Sequence, residues 1–298
     1  MPKFIRLKTQ CILILLLSVI GCTPENIVKQ TDYAQLYGPS EPKQRVLTEQ
    51  EYRQDLKEGK VSYDNDIKPI LDSRCVACHA CYDAPCQLKL SSFEGLDRGA
   101  TKQRVYDGAR LDPAPPMRLF IDATSTEQWR EKDFYPILNE RIDSAQAELN
   151  NSLLAKLLQL KRDNPLPEEG KLDDSFELDI DRTLECPTID EFADYQYEHP
   201  TWGMPYAMPG LSLDQEYTIM KWLKQGAKIE PKPGLSKKAK AKIKQWETFF
   251  NGTSLKQQLV SRYIYEHLFL GHIHFLGRPD NEFFRLVRYL SLIHISEP

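Results

Sequence analysis

Arg74-Cys75-Val76-Ala77-Cys78-His79 is the stretch that decides how this chain reads. Cys75, Cys78 and His79 form the C-x-x-C-H pattern, the attachment signal for haem c. Thioether bonds from Cys75 and Cys78 fix the porphyrin edge, and the adjacent His79 is thereby set under the iron as an axial ligand. The competing readings of C-x-x-C are a thioredoxin-like redox pair and half of a zinc site. Both are weak, because no second C-x-x-C occurs and because haem is attached by this route outside the cytoplasm. One covalent haem c is expected, in a mainly α, cytochrome c-like domain with long loop insertions.

Toward the N terminus, Lys3, Arg6 and Lys8 precede an apolar run of 11 residues from Cys11 to Gly21. A membrane-spanning helix needs about 20 such residues, so the run reads as the apolar part of a signal peptide over residues 1–21. It closes on Val19-Ile20-Gly21-Cys22, which resembles the bacterial lipoprotein signal, with Cys22 as the lipidated residue. An ordinary cleaved signal with an incidental cysteine, or an uncleaved anchor, are the alternatives. The expectation is a periplasmic chain held on a membrane face by more than one acyl chain, since a single one binds only marginally.

The whole chain has 298 residues, 41% hydrophobic and 28% charged, with a net charge of -4. Such a composition supports a packed core and argues against a nucleic-acid partner, which requires a concentrated positive field. No Walker loop, dinucleotide fingerprint or nucleophile elbow is present, so no nucleotide is expected. Of the seven cysteines, Cys81, Cys86 and Cys186 remain after the signal, lipid and haem positions are assigned. Export favours a disulfide among them, but three cysteines leave one over and the spacing does not choose the pair.

Residues 22–60 are polar and read as a tether, 61–231 as the haem domain, 232–290 as the start of a further helical region. Asp64 or Asn65 is expected to cap a short helix carrying Ile67, Ile70 and Leu71, with Pro69 in its first turn. Residues 107–120, rich in proline, read as an extended loop. A helix is expected from Ser152 to Lys161, with Leu153, Leu154, Leu157, Leu158 and Leu160 making a wide apolar face. Another runs from Ser212 to Gln225: Ser212 and Gln215 make a capping box, Leu213, Tyr217, Met220 and Lys224 share a face, and Gly226 stops it.

The sixth iron ligand is expected just before that helix, in Trp202-Gly203-Met204-Pro205-Tyr206-Ala207-Met208-Pro209. Met204 lies seven residues before Leu211, the spacing expected of such a ligand, whereas Met208 lies three before it. Met208, His199 or an open site are the alternatives, and either methionine also suits plain core filling.

Beyond His79 the sequence continues Ala80-Cys81-Tyr82-Asp83-Ala84-Pro85-Cys86, and on to Gly95-Leu96-Asp97-Arg98-Gly99. This extended motif, with Trp202-Gly203-Met204-Pro205-Tyr206 and Arg262-Tyr263-Ile264-Tyr265-Glu266-His267-Leu268-Phe269-Leu270, resembles the bacterial fatty-acid cis/trans isomerases from about Tyr63 to Arg288. The resemblance implies a periplasmic haem c enzyme that converts cis double bonds of membrane phospholipid acyl chains to trans, stiffening the bilayer under stress. Members of that family are much longer, so the chain is expected to hold the haem domain and the beginning of a second region, a piece that need not be active alone. Residues 291–298 resemble a translated sequencing adapter, which leaves His294 without a role.

Rotation about an amide already faces a barrier of ~18–20 kcal/mol, and a full C=C is far harder to turn. Electron withdrawal by a haem iron weakens the π bond without nucleotide, reductant or acid/base pair, which agrees with the lack of a carboxylate dyad in the sequence. The segment Leu259 to Leu276 is suited to an acyl-chain channel, to the membrane interface, or to an ordinary buried helix. Lys237, Lys238, Lys240, Lys242 and Lys244 suit anionic headgroups or a solvated helix face. The competing function is a periplasmic electron-transfer cytochrome, which has no need of the cysteine-rich extension.

Overall fold

Tyr63, Ile67 and Leu71 stand one helical turn apart and are almost completely buried. They begin the core of a computed structural model that describes residues 33–80, 84–115, 117–167, 169–179, 183–232, 234–275, 283–289 and 292–296. The signal segment, Cys22 and Cys81 lie outside the described residues. The fold is mainly helical. It divides into two units: residues up to Met117 with Ser125–Glu230, and Arg118–Thr124 with residues from Pro231 onward.

In the first unit, α1 (Tyr33–Tyr37) and α2 (Glu49–Glu58) come first. Residues 33–60, expected to be a tether, are instead folded onto this unit. The reason is Arg45, whose buried guanidinium donates to Asp97 at 3.0 Å and to the carbonyls of Gly226 at 2.9 Å and Asn139 at 2.7 Å. Leu47 N–H donates to Ile229 O at 2.9 Å beside it. A guanidinium can be buried only when its donors are satisfied in this way.

A π-helical turn, Tyr63–Ile67, runs directly into α3 (Lys68–Arg74). Its cap is Ser62, which accepts from Asn65 N–H at 3.1 Å, and not Asp64 or Asn65; Pro69 occupies the first turn of α3 as expected. Short helices α4 (Val76–His79), α5 (Phe93–Arg98), α6 (Thr126–Arg130) and α7 (Ala145–Asn150) come next. Residues 107–120 contain no helix or strand among those described. Then come α8 (Leu153–Asp163), capped by Ser152, α9 (Phe192–Glu198), and α10 (Leu213–Lys224), with the Ser212–Gln215 capping box and Gly226 at φ 87° just beyond.

The buried face of α10 is Ile219, Trp222 and Leu223, whereas Leu213 and Tyr217 are exposed. The face expected from the sequence is thus rotated. Trp222 turns it inward: its ring packs 5.7 Å from that of Tyr63, and its Nε1 donates to Lys228 O at 2.7 Å, so both the apolar body and the polar tip are satisfied.

The second unit contains α11 (Lys237–Phe250), α12 (Leu255–Leu268) and an antiparallel hairpin, β1 (Arg285–Tyr289) with β2 (Leu292–Ser296). The hairpin register runs from Arg285 opposite Ser296 to Tyr289 opposite Leu292. β1 stands in a region that the sequence reads as helical, and β2 in the residues that it reads as a translated adapter. Alternation places Leu286, Ile293 and Ile295 in the core with Phe250 and Phe284. Asn251 clamps β2, donating to Ile293 O and accepting from its N–H, both at 2.9 Å. The lysines of α11 are solvent-exposed, and Leu255, Leu259 and Tyr263 make an exposed apolar stripe along α12.

Candidate functional site

Cys75 sits where α3 breaks, at φ -123° and ψ -38°, and α4 begins on the next residue. Its carbonyl accepts from Cys78 N–H at 3.2 Å and His79 N–H at 3.1 Å. The chain therefore makes one helical turn between the first cysteine and the histidine. Positions i, i+3 and i+4 of such a turn share a face, so Cys75, Cys78 and His79 are gathered on one side.

Within that group the environments differ. Cys75 is half-buried against the core, and burial pushes its thiol up to about 11, partly countered by the neighbouring Arg74 guanidinium. Cys78 is exposed, and both thiols are free. His79 is 9% exposed, and its Nδ1 lies 3.0 Å from Leu88 O. A carbonyl oxygen only accepts, so Nδ1 carries the proton and the lone pair resides on Nε2. Metal-bound histidines are commonly held in that tautomer by such a second bond.

The carbonyl that orients His79 is itself fixed. Cys86 is bonded to Cys186, with Cα atoms 5.7 Å apart and a sequence separation of 100. Cys86 O accepts from Thr101 N–H at 2.9 Å, and Gln87 O accepts from the buried Arg98 guanidinium. Leu90 N–H then donates to His79 O at 2.8 Å. Sequence reasoning gave no role to Leu88, which acts through its backbone, nor to Arg98, which it quoted only as part of the extended motif.

The segment Trp202–Gly210 is drawn toward this group by Arg74, whose Nη2 donates to Pro209 O at 2.8 Å and Gly210 O at 2.9 Å. On its other side the segment rests on α8. Met204 N–H donates to Leu157 O at 3.0 Å, and a Cβ on Gly203 would stand 2.2 Å from Lys161 N. Only glycine permits that approach.

Met204 and Met208 are both half-buried. Met204 lines a cavity of about 250 Å³ with Leu158, Lys161 and Leu211, and Met208 does not. The His199 ring is stacked on Trp202 at 4.1 Å. Among the described residues no three His, Cys, Asp or Glu side chains converge as a metal site, the trio His267, His272 and His274 included.

These residues fit a covalently bound haem: two free thiols and an oriented imidazole share one helical turn, with a half-buried thioether on a segment tied to that turn. Among the described residues no helix is long and apolar enough to cross a membrane.

The sequence model of the family described as Fatty acid cis/trans isomerase (CTI) matches residues 114–292, more than half of the chain. The match takes in the Met204 segment, α8, α10 and the second unit as far as residue 292. No curated protein and no solved structure matches the chain. The chain belongs to the fatty acid cis/trans isomerase family.

Proposed function

We propose that this protein is a haem c-dependent isomerase that turns cis double bonds of membrane phospholipid acyl chains to trans, working in the periplasm from a lipid anchor on Cys22. Membership of the family implies an isomerase acting on fatty acyl double bonds. The observation that carries the haem dependence is the His79 Nδ1–H bond to Leu88 O at 3.0 Å, on the same turn as two free thiols.

Bound haem would supply an iron that draws electron density from a nearby double bond and so lowers the barrier to its rotation. The remaining work falls to the chain. Cys75 and Cys78 would hold the group covalently through their sulfurs. His79 offers Nε2, and the Leu88 carbonyl keeps the ring from turning and the proton on Nδ1. Met204, half-buried on the segment tied to Arg74, would offer its thioether sulfur to the group. Cys75 and Val76 pack against the hydrophobic core, which keeps water from that side. The product has the same atoms and oxidation state as the substrate, so no residue is required as a net acid, base or reductant.

The haem part of this reading is tested by expression in a host competent for cytochrome c maturation. Haem should stay with the polypeptide on denaturation and be lost in a Cys75→Ser, Cys78→Ser variant. Covalent haem retained at normal levels in that variant would contradict it.

A further inference from the structure

Cys86 and Gln87, the two residues before Leu88, have φ of 54° and 50°. Neither is glycine, and residues with a side chain avoid this left-handed region unless their surroundings hold them in it. The turn they form sets where the Leu88 carbonyl points, and that carbonyl lies 3.0 Å from His79 Nδ1. Backbone strain of this kind gathers where a protein must keep a group in place.

The disulfide holds Cys86, whereas Gln87 is held from α5. Gln87 is buried, its Nε2 donates to Gln103 O at 2.7 Å, and its own carbonyl accepts from Arg98 Nη2. Arg98 is 5% exposed, and its Nη1 donates to Met117 O at 3.2 Å. The guanidinium carbon stands 4.6 Å from the centre of the Phe134 ring and 5.3 Å from that of Trp129. A planar fork serves two carbonyls while it lies on aromatic faces, and a lysine ammonium does not match that geometry.

Helix α5 is also seated on the same stretch of chain. A Cβ on Gly95, one turn before Arg98, would stand 2.2 Å from Lys89 O. Residues three apart on a helix share a face, so Gly95 lets the backbone approach and Arg98 reaches across beside it. Arg130 Nη1 donates to Arg98 O at 2.7 Å and fixes the end of the helix.

We propose that Arg98 is a positioning residue for His79. Its guanidinium holds the left-handed turn through Gln87 O, and the turn keeps the Leu88 carbonyl on Nδ1. The purpose of that arrangement rests on the haem reading, since a fixed, hydrogen-bonded imidazole is a better-aimed and more basic ligand. The orientation of the ring does not rest on it.

The test uses haem-loaded, reduced protein with 15N-labelled histidine, as wild type, Arg98→Met, Arg98→Lys and Ile219→Ala. Ile219→Ala truncates the buried face of α10 and removes none of these bonds, so it reports what loss of stability alone does. Exchange of the His79 Nδ1 proton with deuterium is followed by NMR, and stability by denaturant unfolding.

Arg98→Met should speed that exchange at least tenfold. Arg98→Lys, whose ammonium still reaches one carbonyl, should fall between it and wild type, and Ile219→Ala should keep the wild-type rate. Wild-type exchange in Arg98→Met overturns the proposal, and so does equal acceleration in Ile219→Ala. If Arg98→Met does not accumulate, Arg98→Lys takes its place, with at least threefold faster exchange expected and the wild-type rate overturning the proposal. Covalent haem is quantified in every sample. If wild type carries none, the haem reading fails, and the 15N shifts of the haem-free protein decide the positioning role. They should report a proton on Nδ1 in wild type and its move toward Nε2 in Arg98→Met, and an identical tautomer in both would overturn the role.

Discussion

His79 donates from Nδ1 to the Leu88 carbonyl, and the chain two residues before Leu88 is pinned by the bond between Cys86 and Cys186. The disulfide closes a loop of about a hundred residues, so it restricts the unfolded chain strongly. Replacing both cysteines by alanine should cost roughly 2–5 kcal/mol, measured by denaturant unfolding, with the same loss in reduced wild type. An unchanged midpoint would show that the bridge does not support the fold. At this scale the sequence was partly legible. That Cys75, Cys78 and His79 share one turn was readable because they lie within five residues of one another. The partner of Cys86 was not, because nothing local distinguishes Cys81 from Cys186, and Cys81 lies outside the described residues. Leu88 acts through its backbone, which is not written in residue type.

At the scale of elements, α8 and the Met204 segment meet through Gly203, whose Cβ position falls 2.2 Å from Lys161 N and 2.8 Å from Leu160 C. Both are backbone atoms of a helix and cannot move aside. Gly203→Ala should therefore push the segment off α8 and destabilise the first unit by about 1–3 kcal/mol, read from thermal or denaturant unfolding. A variant as stable as wild type would mean that the segment is not seated on α8 as described. Helices α8 and α10 were legible because Ser152 and the Ser212–Gln215 box mark their starts. The inward face of α10 was not, since Trp222 is turned by its ring contact with Tyr63, which joins segments far apart in the chain. The β1–β2 hairpin was also missed. Its strands are short, and its buried alternation becomes visible only when packed beside Phe250 and Phe284.

For the whole molecule, the polar composition of residues 33–60 pointed to a tether, and long-range bonds such as those of Arg45 and Leu47 reveal that they are folded. The proposed reading places the lipid anchor on Cys22. Cys22→Ala should move the protein from the membrane pellet to the soluble fraction, monitored by fractionation and immunodetection. Unchanged membrane association would shift that role to the exposed apolar stripe of Leu255, Leu259 and Tyr263. The central claim joins the family's reaction to the haem turn, and it is most directly tested by the fate of the double bond. Haem-loaded protein, expressed from the complete reading frame, is incubated with cis-unsaturated phospholipid vesicles without nucleotide or reductant, and the acyl chains are analysed by gas chromatography. The account predicts trans product with the double bond at its original carbon, lost in His79→Ala. Protein that carries covalent haem and cycles between oxidised and reduced forms, yet forms no trans acyl chains, would contradict it and leave an electron-transfer cytochrome.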